Sequence, residues 1–361
     1  MKEPFDQQIN FLNYLQIQKY QFPSYLKNPL LPLSKTSPSS IILPSQNTLE
    51  DKDICTECIS ENLKSLDKKP VNCIKMFNNS KKLLYGTSNG TLVTCDIYNS
   101  FSLSNSSQLS PQSTIRALQF NKKESYILIG DGSGTVTYFH NPIKKLKHIT
   151  PHTATITDIS FSINDQKFIT SSDDKTSKII DFYSGHEDIC FKNHLSDVKS
   201  CDWNPYKNLV VSGGKDHIIK VWDPSSGEEI ATLHTHNDSI NRLRFNKNGN
   251  WLLSASKDHT LKVIDIRNMK EIQSFKGHEK EVNTVSWHPV HEEIFCSAGV
   301  DSSIIYWKVG QVKNFVVKNA HDKEIFDLCF NNTGTLLASG SNDSFLKFWK
   351  RKNQWEVKDV V

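Results

Sequence analysis

No run of 18 or more apolar residues occurs in the chain, so no segment reads as a membrane-spanning helix. The start, MKEPFDQQINFLNYLQIQKYQFP, has no basic-then-apolar leader, and the expectation is a soluble intracellular protein without a membrane partner. Charge of one sign is also scarce. Lys and Arg total 43 against 39 Asp and Glu, and the +4 that results argues against a histone-like surface binder while leaving room for a local basic patch. Catalytic signatures are missing: there is no phosphate-binding glycine loop, no nucleophile elbow and no HExxH. Cys55 and Cys58 form a CxxC in the N-terminal arm, but a four-ligand zinc site needs a second pair close by, and none follows. His148 and His152, four apart, read as loop ahead of a strand. No catalytic residue, metal or cofactor is expected. Cys73, Cys201, Cys296 and Cys329 sit inside strand-like apolar runs, where a reduced thiol behaves as a small buried hydrophobe.

What the chain does have is a period. His152, His194, His236, His278 and His321 recur at intervals of 42, 42, 42 and 43 residues, and each is followed 22 or 23 residues later by an aspartate: Asp174, Asp216, Asp258, Asp301 and Asp343. Self-similarity near forty residues with four short apolar runs per unit is the mark of a β-propeller, in which each unit is one blade. In the fourth unit, DVKSCDW alternates as a strand, NP opens a turn, and NLVVSGG, KD and HIIKVWD supply a second strand, its turn and a third. From the turn aspartate to the closing position of the third strand is six residues every time, as in Asp216 to Trp222, Asp301 to Trp307 and Asp343 to Trp349. Asp174 to Ile180 and Asp258 to Ile264 keep the spacing and lose the Trp.

Two more degenerate units lie upstream. Residues 113–139 carry Ser133 in the aspartate position and Phe139 as the closer; residues 70–96 carry Asn89 and Cys95. Seven units are therefore countable, and 37% hydrophobic residues with 7 Trp and 19 Phe supply a core shared between neighbours. A ring must close or expose a raw edge, and a strand at residues 57–66 is expected to complete the last blade. The fold class expected is all-β, a seven-bladed propeller over residues 57–361, preceded by a partly helical arm over residues 1–56. In the arm, residues 6–20 carry Ile9, Phe11, Leu12 and Leu15 on a rough helical stripe, and a Pro- and Ser-rich stretch follows.

A histidine that donates to a buried carboxylate satisfies both groups and pins the loop before the first strand to the turn between the second and third. Ser297 with Trp307 and Ser339 with Trp349 can extend the network. Five equivalent copies spread round a ring cannot converge on one catalytic centre, so the structural reading of these ten residues is preferred. Basic residues cluster at Lys68 and Lys69, Lys81 and Lys82, Lys122 and Lys123, and Lys144, Lys145 and Lys147; most such clusters are solvated turns, and the alternative is contact with RNA phosphates.

Three stretches are more specific than the repeat demands: NLVVSGGKDHIIKVWDPSSGEEIATLHTH (208–236), NGNWLLSASKDHTLKVIDIRN (248–268) and SWHPVHEEIFCSAGVDSSIIYW (286–307). They resemble the WD-repeat subunit of the pre-mRNA cleavage and polyadenylation factor, with matching blade order from about residue 70 to 351. The resemblance implies a non-catalytic nuclear scaffold. It would pack against a large propeller subunit and a zinc-finger subunit and help recognise an AAUAAA-type polyadenylation signal in pre-mRNA. It also places RNA contacts in the arm and first blade, near Lys68 and Lys69 and at Phe101, whose ring would stack on a base. The basic run that the family carries in its arm has no counterpart in residues 1–20. A second class of function, substrate recognition within a ubiquitin ligase, fits a propeller as well. It predicts a basic upper surface and recovery with ligase subunits, but no stretch of this chain supports it.

Overall fold

Runs such as KLLYGT, YILIGD and WLLSAS put β-branched, aromatic and leucine side chains at consecutive positions, the pattern of a strand buried on both faces. In the computed structural model these runs form 29 strands in seven sheets, and the structure describes residues 54–351 apart from 60–62, 98–101, 110–111, 141–142 and 313. No helix occurs among the described residues. The arm, including its expected helical stripe, lies outside them up to residue 53.

Six blades are four-stranded antiparallel meanders. Their innermost strands, in chain order, are Val71–Met76, Ile115–Phe120, Ile156–Phe161, Val198–Trp203, Ile240–Phe245 and Val282–Trp287; Ile325–Phe330 is the innermost strand of the seventh blade. Each innermost strand packs beside the next, and the seventh beside the first, so the ring is closed. Closure is made by Cys55–Cys58 and Leu63–Lys64, which both pair antiparallel with Phe345–Arg351, the third strand of blade 7. This strand begins two residues earlier than the sequence suggested, and its described parts are the segments Cys55–Cys58 and Leu63–Lys64. The CxxC therefore belongs to the closing strand and not to the arm. Cys55 is buried, its carbonyl accepts from the Tyr306 hydroxyl at 2.6 Å, and burial pushes its thiol up to about 12.

The core lies between blades. Val211, Val221, Leu243 and Leu252 join blades 4 and 5, and Val71, Ile74 and Leu83 of blade 1 meet Ala338, Leu346 and Phe348 of blade 7. Such residues are almost fully excluded from water, and each apolar side chain so buried stabilises the ring by about 1.5–3 kcal/mol.

Blades 1 to 6 also have a fourth, outermost strand, which the reading of each repeat as strand, turn, strand, turn, strand leaves out. Lys144, Lys145, Lys147 and His148, read as turn and loop, lie on the outermost strand Lys144–Ile149 of blade 2, where most side chains face water. An edge strand wet on one side carries no apolar alternation, and charged residues suit it. Lys147 lays its ammonium over the Tyr138 ring, 4.6 Å from the centroid.

Candidate functional site

The loops that lead into each inner strand and the turns between second and third strands emerge on one face, here called the upper face. All five histidines sit four residues before an inner strand, and each bonds the aspartate of its own blade. Nδ1 to Oδ2 distances are 2.8 Å for His152 and Asp174, 2.8 Å for His194 and Asp216, 2.9 Å for His236 and Asp258, 2.7 Å for His278 and Asp301, and 2.8 Å for His321 and Asp343. The other ring nitrogen meets a hydroxyl on the second strand: Thr170, Ser212, Ser254, Ser297 or Ser339. Trp222, Trp307 and Trp349 donate their indole N–H to the same hydroxyl at 2.8, 2.8 and 2.9 Å, so the tetrad also occurs in blade 4. Burial alone would raise the five carboxyls. The hydrogen bonds and charge of the histidine and of the turn outweigh it and hold each below the usual carboxylate range. His152 is pushed down by burial, with Asp174 opposing.

The two degenerate blades solve the same problem differently. Four residues before the inner strand of blade 1 stands Asp67, in the histidine position, and its carboxylate accepts from the hydroxyls of Thr87 and Thr91 at 2.7 and 3.0 Å. The pin is inverted, with the acid on the loop and the donors on the turn. In blade 2 Asp131 accepts from Ser133 and Thr135 within a single turn. Ser133 was read as the stand-in for the aspartate, and the carboxylate in fact lies two residues earlier. The sequence signal for Asp67 is its distance of four residues from Val71, without the histidine that marks this position in the other blades.

The seven inner strands surround a central channel, and each one breaks register with the second strand between its first and third residues. A bulge there turns the second residue out of the ladder and toward the upper mouth. One layer deeper, Arg242 of blade 5 reaches Asp158 of blade 3 and Asp327 of blade 7, both at 3.3 Å. Arg244 grips the same Asp158 with two N–H groups at 2.8 and 3.0 Å. Burial pushes Asp158 up, but Arg244 and then Arg242 hold it well below the carboxylate range; Asp202, buried beside Arg244, is raised because burial wins there. Three non-adjacent blades are thus tied across the channel. Among the described residues no group of three or more His, Cys, Asp or Glu is placed to hold a metal ion.

Lys68 and Lys69 are exposed in the upper-face loop before blade 1, where Lys68 adopts a positive φ of 56° and its carbonyl accepts from Ser344 of blade 7. Phe101 lies outside the described residues. Lys81, Lys122 and Lys123 fall on the opposite face, in turns between first and second strands, and Lys122 donates to the carbonyl of Ile163 in the next blade. The basic clusters do not join into one track.

A closed ring of antiparallel blades with pinned upper loops, and with polar side chains gathered at an axial channel, defines a repeat protein of the propeller class. The pattern described as WD domain, G-beta repeat, matches residues 143–181, 185–223, 227–265, 269–308 and 312–350, more than half of the chain, and the chain belongs to that family. Within it, the chain is similar to proteins named polyadenylation factor subunit 2. That of Neurospora crassa is 30% identical over 197 residues, covering 54% of this chain and 28% of that protein. That of Gibberella zeae is 33% identical over 152 residues, covering 42% and 24%. That of Saccharomyces cerevisiae is 34% identical over 71 residues, covering 19% and 15%. The chain spans 28% or less of the length of these curated relatives.

Proposed function

We propose that this chain is a non-catalytic scaffold subunit of the nuclear machinery that cleaves and polyadenylates pre-mRNA. In this reading it helps recognise an AAUAAA-type signal together with a large propeller subunit and a zinc-finger subunit. The observation that carries the reading is the recurrence of one name, polyadenylation factor subunit 2, among relatives from several fungi. The geometry is consistent with a scaffold: titratable residues are consumed by pins and clamps. His194, for example, uses both ring nitrogens, and Asp158 is held by two arginines.

RNA contact falls to the arm and first blade in this reading, with Lys68 and Lys69 on phosphates and Phe101 stacked on a base. An aromatic that stacks on a base contributes about 1–3 kcal/mol. Several bases must be held jointly by subunits that pre-organise one another, so the isolated chain binds an AAUAAA oligonucleotide weakly. Association is the test: affinity-tagged chain expressed in its own cells recovers the large propeller subunit, the zinc-finger subunit and the poly(A) polymerase. Recovery of ubiquitin-ligase subunits in their place refutes the proposal.

A further inference from the structure

The outermost strand of blade 6, Phe315–Val317, differs from those of blades 1 to 5. It has three residues and none is polar, whereas Ser102–Gln108, Lys144–Ile149, Glu187–Phe191, Glu229–Leu233 and Lys270–Lys276 have five or more, with serines or charged side chains among them. An outermost strand presents unpaired N–H and C=O groups along its free side, and charge or polarity there discourages further pairing. Blade 6 lacks that guard. Phe315 and Val317 pack on the core shared with blade 7, while Val316 is 36% exposed and Val312, in the turn ahead of the strand, 95%. That turn is held in place, because Gln273 of blade 5 accepts from the Gly310 N–H and donates to the Gln311 carbonyl, both at 2.8 Å.

Chain direction names the occupant. Cys55 pairs with Arg351 and Leu63 with Leu346, so the closing strand of blade 7 rises from the lower face, opposite the upper one, and the arm enters there. It enters beside blade 6: the Cys55 carbonyl accepts from the Tyr306 hydroxyl, and Tyr306 is the register partner of Phe315. Phe315–Val317 also rises from the lower face, so a strand added antiparallel to it descends and arrives where the closing strand begins. The gap is one tyrosine side chain and two strand spacings, about 20 Å with strands ~4.8 Å apart. Residues 45–53, extended, span about 30 Å. We propose that residues 39–43 of this chain's own arm, SSIIL, form a fifth strand on the outer edge of blade 6. Ile41 and Ile42 are the one adjacent pair of β-branched apolar residues in residues 1–53, the type that strands favour. Pro38 and Pro44 bound the run and have no N–H to donate, which limits it to the length of a short edge strand. With Ile42 opposite Val316, Ile41 falls beside Val317 and Leu43 beside Phe315, apolar against apolar at all three positions.

The test uses the full chain with Ile42→Cys and Val316→Cys together. Mild oxidation should join the two introduced thiols within one molecule, identified by mass spectrometry of the linked peptides from monomer, because facing residues of antiparallel strands bring their Cβ atoms within disulfide reach. Ser34→Cys with Val316→Cys shares the tether without the pairing, and should link about tenfold less or lower still. Hydrogen exchange supplies a second reading. Ile42→Asp should lower the protection factors of Phe315–Val317 by about tenfold or more and leave those of Val71–Met76 unchanged, as expected for a local loss of pairing. Equal yields from the two cysteine pairs, a linkage between two copies, or protection at Phe315–Val317 that is indifferent to Ile42→Asp would overturn the proposal. Protection there that arises only on adding another protein would overturn it too, and would assign the edge to that partner. None of these outcomes depends on which complex the chain belongs to.

Discussion

His194 illustrates how much one side chain holds. Its ring nitrogens engage Asp216 and Ser212, and Trp222 completes the set through the same hydroxyl. His194→Ala leaves a carboxylate and a hydroxyl short of partners in a buried site, and stability should fall by about 1–3 kcal/mol, read as a lower denaturant midpoint. In blade 3, burial lowers the affinity of His152 for a proton. A base whose folded pKa is depressed contributes stability that is whole above its unfolded pKa of about 6.5 and declines as pH falls below it. The five pin aspartates are depressed too, and their contribution is whole above about pH 4 and lost as pH falls toward their folded values. Acidification from pH 7 to 5.5 should therefore lower the hydrogen-exchange protection factors of amides in blade 3, and protection factors there that do not change would contradict this. These pins were legible as residue pairs because their spacing recurs. The inverted pin of Asp67 was not, since the period carries histidine and the blade that departs from it looks merely degenerate.

At the scale of the element, the turn between second and third strands places the residue after the aspartate at positive φ: Lys175 at 70°, His217 at 66°, His259 at 67°, Ser302 at 56° and Ser344 at 71°. Blades 1 and 2 have glycine there, Gly90 and Gly134, which reach this region without a Cβ penalty. Lys175→Gly should therefore raise stability by about 1 kcal/mol, measured as a higher melting temperature. The closing strand is the other sensitive element. Tyr306→Phe strands the buried Cys55 carbonyl, so a loss of about 1–3 kcal/mol is expected, with faster exchange in Cys55–Cys58 and Phe345–Arg351 than elsewhere in the ring. A freed edge in blade 7 is a template for pairing with a second chain, and dimers on size exclusion would accompany it.

The whole ring depends on the clamp across its axis. Arg242 ties blades 3, 5 and 7, none of which are neighbours, and its removal leaves Asp158 and Asp327 with less compensation in a buried channel. Breaking one partner of such a network costs about 3–5 kcal/mol, so Arg242→Ala should lower the unfolding free energy by that much. Arg242→Met with Asp327→Leu should recover part of it, because Asp158 keeps Arg244 as its partner and the charge that Arg242 compensated on Asp327 is removed with it. Denaturant unfolding of the two variants separates a requirement for packing from a requirement for charge.

Blade number, ring closure from the N-terminal side and the five His–Asp pairs are properties of the sequence alone, because a repeating unit must bury the same faces in the same way each time it occurs. The outermost strands, the exact start of the closing strand and the contents of the channel were decided by tertiary structure. Asp158, Arg242 and Asp327 stand 84 and 85 residues apart and obey no period, and only the curvature of the closed ring brings them within 3.3 Å.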